Sequence, residues 1–226
     1  MSLASPGASL VDLSQSVEHG GVTYRGLPAP LVCDYWTRES SRERFVDGVS
    51  FHIGKIEMVG NTGTYVDSPF HRYEDGKDLS ELPLESLVHL EGIVVRAKAG
   101  ERAVDVEQFA SLRDRVRGCA VLVHTGWAQH WGTERYFEGN PFLTESAARW
   151  LVERGATLVG IDSVNIDDTE DKRRPAHSIL LGANIPICEH LCNLESLPDK
   201  GFRFHAAPVK VKRFGTFPVR AYAIVD

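Results

Sequence analysis

The chain of 226 residues is long enough to bury one substantial core, so residues 1–226 are read as a single domain. Hydrophobic residues make up 42% and charged residues 25%, as in an ordinary soluble globular protein, and a net charge of -6 gives no basic footprint for nucleic acid. No apolar run approaches the roughly 20 residues of a membrane span, and the opening residues lack the basic start and apolar centre of a signal peptide. Neither nucleic acid nor a membrane is therefore an expected partner, and a cytoplasmic setting is expected.

In chain order, "SLVDLS" reads as a short strand. Pro28, Pro30 and the polar "TRESSRER" of residues 37–44 mark a long excursion, of the kind that often covers a site. "SFHIGKIEM" alternates with period two and predicts a strand running into a glycine-containing loop at 59–76, "VGNTGTYVDSPFHRYEDG". "GIVVRAK" (92–98) and "CAVLVHTG" (119–126) are β-branched runs suited to buried strands, with a helix predicted between them over "VDVEQFASLRDRV". Thr144 can cap a helix over "ESAARWLVER", Gly155 can end it, and "TLVGID" makes the next strand. "RPAHSILLGAN" predicts a short helix with Pro175 near its start, "IPIC" a brief strand, and the C-terminal segment an antiparallel pair around Phe214, Gly215 and Thr216. The pattern is α/β with a mixed central sheet and flanking helices, without repeat or linker.

Cys33, Cys119, Cys188 and Cys192 are too few and scattered for a disulfide framework and are read as reduced thiols. "CEHLC" places Cys188, His190 and Cys192 close together but lacks a second ligand pair at finger-like spacing. The chemistry-bearing residues concentrate elsewhere. Asp67 and His71 lie four apart on the bendable loop, among the hydroxyls of Thr62, Thr64 and Ser68 and beside Pro69. His177 and Glu189, twelve apart, sit on a helix and at a strand end that can face one cleft. Asp162, Asp167 and Asp168 read as a solvated loop beyond a buried strand. His52 and Glu57 fall on opposite faces of their strand, so at most one could reach inward. Trp36, Phe51, Tyr73, Trp127 and Trp131 are candidate walls of a small-molecule pocket, with Trp36, Trp127 and Tyr73 retained as substrate-binding candidates.

The run from Asn61 to His71 resembles the H-x-G-T-H-x-D-x-P-x-H signature of the metal-dependent hydrolases of the cyclase or kynurenine formamidase family, which includes isatin hydrolase. "VDLSQSVEHGGVTYRGLP", "HTGW", "LVGIDSVNID" and "HSILLGANIPICEHLCNLESLP" resemble further blocks of that family, so the likeness spans nearly the whole chain. The resemblance implies a swivelling β/β/α fold and a homodimer. It implies Asp67, His177 and Glu189 as ligands of one metal position, and His71 as the residue that moves protons. Asn61 and Tyr65 stand where the family has the two imidazoles of another metal position. The expected activity is hydrolysis of a small-molecule amide, formamide, ester or lactone through water activated by one zinc or manganese ion. Asn61 and Tyr65 are then candidate catalytic hydrogen-bond donors alongside His71. The alternatives are a metal-independent cyclase or dehydratase and a non-catalytic small-molecule-binding protein.

Overall fold

The computed structural model describes residues 7–112 and 115–225. Strand β1 (Ser9–Asp12) is followed by an arm made of β2 (Leu31–Trp36), the short helix α1 (Arg38–Arg42) and β3 (Ile53–Glu57). The predicted excursion at 37–44 thus contains a helix, started by the Thr37 hydroxyl accepting from Ser40 N. Then come β4 (Tyr65–Asp67), β5 (Leu90–Arg96), β6 (Ala103–Val104), β7 (Ala120–His124) and β8 (Phe142–Leu143). Helix α2 (Glu145–Arg154), β9 (Leu158–Ile161), α3 (Pro175–Gly182) and β10 (Ile187–Glu189) follow, and β11 (Lys200–His205), β12 (Thr216–Pro218) and β13 (Tyr222–Val225) end the chain.

Nine strands form one mixed sheet in the order β1-β13-β11-β5-β7-β9-β10-β4-β12. Its centre, β5-β7-β9-β10, is parallel, and the strands added on both sides are antiparallel. A parallel centre must be covered on both faces, and the alternation along β7 shows it: Ala120 and Leu122 enter one core cluster, Val121 and Val123 the other. The second cluster packs under α2 and α3 through Ala147, Leu151, Ala176 and Leu180. Thr144 caps α2 by accepting from Ala147 N, and Gly155 ends it in the left-handed region at φ 75°, as the sequence indicates.

Three expectations are corrected. Within 104–116 no α-helix forms among the described residues, which hold the end of β6 and the 3-10 turn Val106–Phe109, while residues 113 and 114 lie outside the described ones. Asp105 accepts from Val106 N at 2.8 Å, a local bond that competes with a helix, and from the distant Thr144 hydroxyl at 2.7 Å, while Val104 pairs with Leu143 instead. The loop at 59–76 contains a fully buried strand, β4, paired on both sides. The C-terminal antiparallel pair exists as β11 and β13, but β12 leaves it for the far edge of the sheet beside β4, so residues 214–216 are no hairpin turn.

The entry into β12 is fitted closely to the loop after β4. Gly215 accepts from Ser68 N through its carbonyl at 2.7 Å, and a Cβ on Gly215 would lie 2.7 Å from both the backbone N and the Cα of His71. Gly215→Ala should therefore displace the His71 turn and cost about 1–3 kcal/mol, as overpacking does, read as a lowered urea midpoint at unchanged slope. A variant of wild-type stability would show that this approach is not needed for folding.

Candidate active site

Strand register assembles the site. On β4, Tyr65 and Asp67 point to one face while Val66 points into the opposite core. Antiparallel pairing sets Glu189 opposite Tyr65 on one side and Thr216 opposite Asp67 on the other, so four polar side chains meet on one face. Tyr65, Asp67 and Glu189 are fully buried. The Tyr65 hydroxyl donates to Glu189 Oε2 at 2.5 Å, and Ile166 N donates to Glu189 Oε1 at 2.5 Å. Burial, the nearby charges of Glu189 and Asp67 and this hydrogen bond keep the Tyr65 phenol well above its ordinary pKa, so it stays protonated. Burial also raises the Glu189 carboxyl to about 7, opposed by His177 and reinforced by Asp67.

Helix α3 supplies His177. The stretch read as a solvated acidic loop is instead a buried brace: Asp162 and Asp167 are both inaccessible. Asp162 accepts from Thr125 N, the Thr125 hydroxyl and Gly126 N, which ties down the "HTGW" turn. Asp167 accepts from Ala176 N at 2.6 Å and His177 N at 3.1 Å, capping α3 from outside the helix, and from His177 Nδ1 at 2.6 Å. With Nδ1–H spent on Asp167, Nε2 faces Asp67 Oδ2 at 3.6 Å and Glu189 Oε1 at 3.7 Å. Burial disfavours a charged ring, yet the Glu189 charge, the hydrogen bond to Asp167 and the nearby Asp67 carboxylate outweigh it and raise His177 to about 10.

His71 follows β4 on a 3-10 turn begun by Pro69, with its side chain about 35% exposed. The Thr216 hydroxyl donates to Asp67 Oδ1 and lies 2.9 Å from His71 Nδ1. A hydroxyl has one hydrogen, and a carboxylate only accepts, so Thr216 accepts from His71 Nδ1–H and the lone pair of neutral His71 is on Nε2. Burial raises the Asp67 carboxyl, but His71, His177 and Thr216 more than reverse this and hold it below the usual range. Asp67 Oδ2 has no hydrogen-bond partner.

Asp67, His71 and His177 each offer a ligand atom within 4.8 Å of the others, with Glu189 beside His177. Ligands of a tetrahedral ion at the usual bond lengths stand about 3.4 Å apart, close to the two separations around His177 Nε2. An orphaned buried carboxylate oxygen, an imidazole nitrogen oriented by a second carboxylate and an excess of buried anionic groups fit a divalent cation. Tyr65 does not extend that donor set, because its proton is committed to Glu189.

A cavity of about 490 Å³ opens on these groups, lined by Asn61, Tyr65, His71, His177 and Glu189 among others. The three aromatic residues assigned to substrate do not line it. Trp36 lies on the arm, stacked near Tyr35 and under Arg44. Trp127 donates to Tyr136 O at 2.9 Å, and the Tyr73 hydroxyl donates to Ser178 O at 2.8 Å. Phe51 packs on Phe45 in the arm and Trp131 on Tyr136 and His190. His52 pairs with Asp34 at the surface, and Glu57 is exposed. Cys188 is buried in the first core cluster, and His190 turns toward Tyr65 and Tyr136, so "CEHLC" builds no metal cluster among the described residues.

A mixed-sheet α/β protein with a buried carboxylate–imidazole cluster beside a cavity has the layout of a small-molecule enzyme. The family profile described as "Putative cyclase" matches residues 11–168, and the chain belongs to that family. It is 28% identical over 219 residues to kynurenine formamidase of Bacillus cereus, covering 93% of this chain and 95% of that protein. It is 30% identical over 172 residues to kynurenine formamidase of Bacillus cytotoxicus, covering 76% and 79%. Isatin hydrolase A of Labrenzia aggregata, solved with benzyl benzoate, superposes with a TM-score of 0.83 at 23% identity, covering 96% of this chain and 94% of that one. The fold is the swivelling β/β/α arrangement of this family.

Thr216 and Asp167 were not singled out as functional by sequence. Asp167 had a signal, a carboxylate on the strand-to-helix connection ahead of a histidine in the first helical turn. Asp167→Asn removes a charge that favours protonated His177. In metal-free protein the His177 ring should then titrate at lower pH by NMR, with a stability loss of about 1–3 kcal/mol. A folded-state pKa raised from 6.5 to about 10 means that the stability from His177 is fully present below about 6.5 and lost as pH rises through about 10. Stability that rises over that interval would contradict the assignment.

Proposed function

We propose that this chain is a metal-dependent hydrolase of a small-molecule amide or formamide, holding one zinc or manganese ion. The observation that carries the reading is Asp67 Oδ2, buried and unpartnered, facing at 3.6 Å the Nε2 of His177, which lines the cavity together with Glu189. Kinship with kynurenine formamidases supports the amide bond as the target. Asp67 and His177 hold the ion, with Glu189 as the third ligand. When bound, it supplies Lewis acidity toward a carbonyl and toward water.

The protein's own groups do the rest. His71, oriented by Thr216, presents a basic Nε2 at the cavity wall, where it takes a proton from the attacking water and returns it to the leaving nitrogen. Asn61 lines the same wall and offers its amide N–H to the developing oxyanion. Tyr65 acts through Glu189: its single hydrogen fixes that carboxylate, which replaces the expected direct donation to substrate. Without the two imidazoles of the family signature, the position of Asn61 and Tyr65 provides no second strong ligand set, hence one ion.

The arm supports a homodimer. Tyr35, Val46, Phe51 and Ile56 are more than half exposed on it, a concentration of apolar surface that favours a second copy over water. Light scattering at micromolar concentration should give twice the chain mass, and a monomer would remove this element of the reading.

Protein purified without a metal-affinity step should carry about one equivalent of zinc or manganese, lost in Asp67→Ala and His177→Ala. His71→Ala should keep the metal while kcat on aryl formamides falls by about 10²–10⁴. Absence of metal even after adding zinc or manganese in excess would overturn the proposal in favour of metal-independent acid/base chemistry by His71.

A further inference from the structure

The cavity also has a cationic part to its lining. Tyr24, Asn165 and Arg174 also line it, together with Arg72, Lys172 and Arg173. Arg174 is the N-cap residue of α3, three positions before His177, with left-handed backbone at φ 51°. Its guanidinium rests on neutral oxygens only: Nη1 donates to Asn165 Oδ1 at 3.2 Å and Asp168 O at 3.3 Å, and Nη2 to the Tyr24 hydroxyl at 3.5 Å. Among the described residues no carboxylate lies at ion-pair distance from it. Its neighbour Arg173 is different, exposed and bidentate on Asp171 at 2.7 Å.

A partly buried guanidinium braced by neutral acceptors keeps its full charge and spare N–H donors, so it is preorganised for a planar anion. The α3 N-terminus does not compete for that anion, because the N–H groups of Ala176 and His177 both go to Asp167. The cavity lining therefore carries both signs of charge, with Glu189 beside His177 and, on the same cavity, Arg174, Lys172 and Arg72. A purely neutral substrate would leave the cationic part without a partner.

We infer that the site selects substrates bearing a carboxylate, which Arg174 binds while the scissile amide faces Asp67, His71 and His177. This rests on the hydrolase reading for the reaction, but the anion subsite is testable without it. Isothermal titration of metal-free protein with ortho-acetamidobenzoate and the neutral ortho-acetamidobenzamide reads binding. Turnover of ortho-formamidobenzoate and formanilide by zinc-reconstituted protein reads the reaction.

The carboxylate should bind about 10- to 100-fold more tightly than the amide, the range of one charge-assisted hydrogen-bonded pair. Arg174→Gln should collapse that ratio toward one, and Arg174→Lys, which keeps the charge but not the fork, should retain part of it. Equal affinity of wild type for the two probes would overturn the inference. So would a preference unchanged in Arg174→Gln with a native circular dichroism spectrum. Carboxylate preference in binding without turnover of either formamide would support the subsite and sink the hydrolase reading. Turnover of both formamides at equal kcat/KM, with equal affinities, would do the reverse.

Discussion

The site is governed by the need to keep three buried carboxylates, Asp67, Asp167 and Glu189, within reach of one another around His177. Unpaired charges at full burial are expensive, and each must be hydrogen-bonded or neutralised. Much of the surrounding architecture meets that demand. Asp167 is matched to the N-terminal N–H groups of α3, Glu189 to the Ile166 amide and the Tyr65 phenol, and Asp67 Oδ1 to Thr216. One oxygen, Asp67 Oδ2, is left over beside the His177 ring. The orphan stands out because every other oxygen of these three carboxylates accepts a hydrogen bond.

This view gives Tyr65 a physical role. An imidazole at that point would compete for a cation, whereas a phenol brings one donor that cannot ionise in so apolar and anionic a place. It takes up Glu189 Oε2 and leaves Oε1 on the His177 side. The altered signature is therefore internally consistent. The register that sets Glu189 opposite Tyr65 turns the replacement into a pair of side chains that satisfy each other.

The parts of the fold legible in the sequence were those written in local pattern. The β-branched runs of β5, β7 and β9, the Thr144 cap and the Gly155 terminus follow from periodicity and backbone preference. Strand β4 escaped that reading because Gly60, Gly63 and Pro69 around it look like a loop, and only pairing with β10 and β12 makes it a strand. Asp167 looked solvated because three acidic residues on a connection usually are, and its burial depends on where α3 docks. Thr216 lies 149 residues from the carboxylate it serves, a relation that no local window contains. The aromatic candidates lie away from the cavity at His177 for a related reason, since size and apolarity suit packing as well as binding, and Trp127 and Tyr73 each spend their polar atom on a backbone carbonyl.

The two parts of the cavity lining also constrain each other. Arg174 and His177 leave α3 one turn apart, so the segment that orients the imidazole also fixes the guanidinium, through Asn165 and the Asp168 carbonyl. Asp167 sits in the middle of that connection and anchors the helix start. A shift of α3 would change the distance from His177 to Asp67 on β4, while the guanidinium stays tied to Asn165, the Asp168 carbonyl and Tyr24 outside the helix. Recognition thus rests on the connection that leads into α3, and the seating of α3 relative to β4 decides whether Asp67 and His177 close on the same point. Selectivity resides in the connection ahead of the helix, and competence resides in the helix's packing against β10.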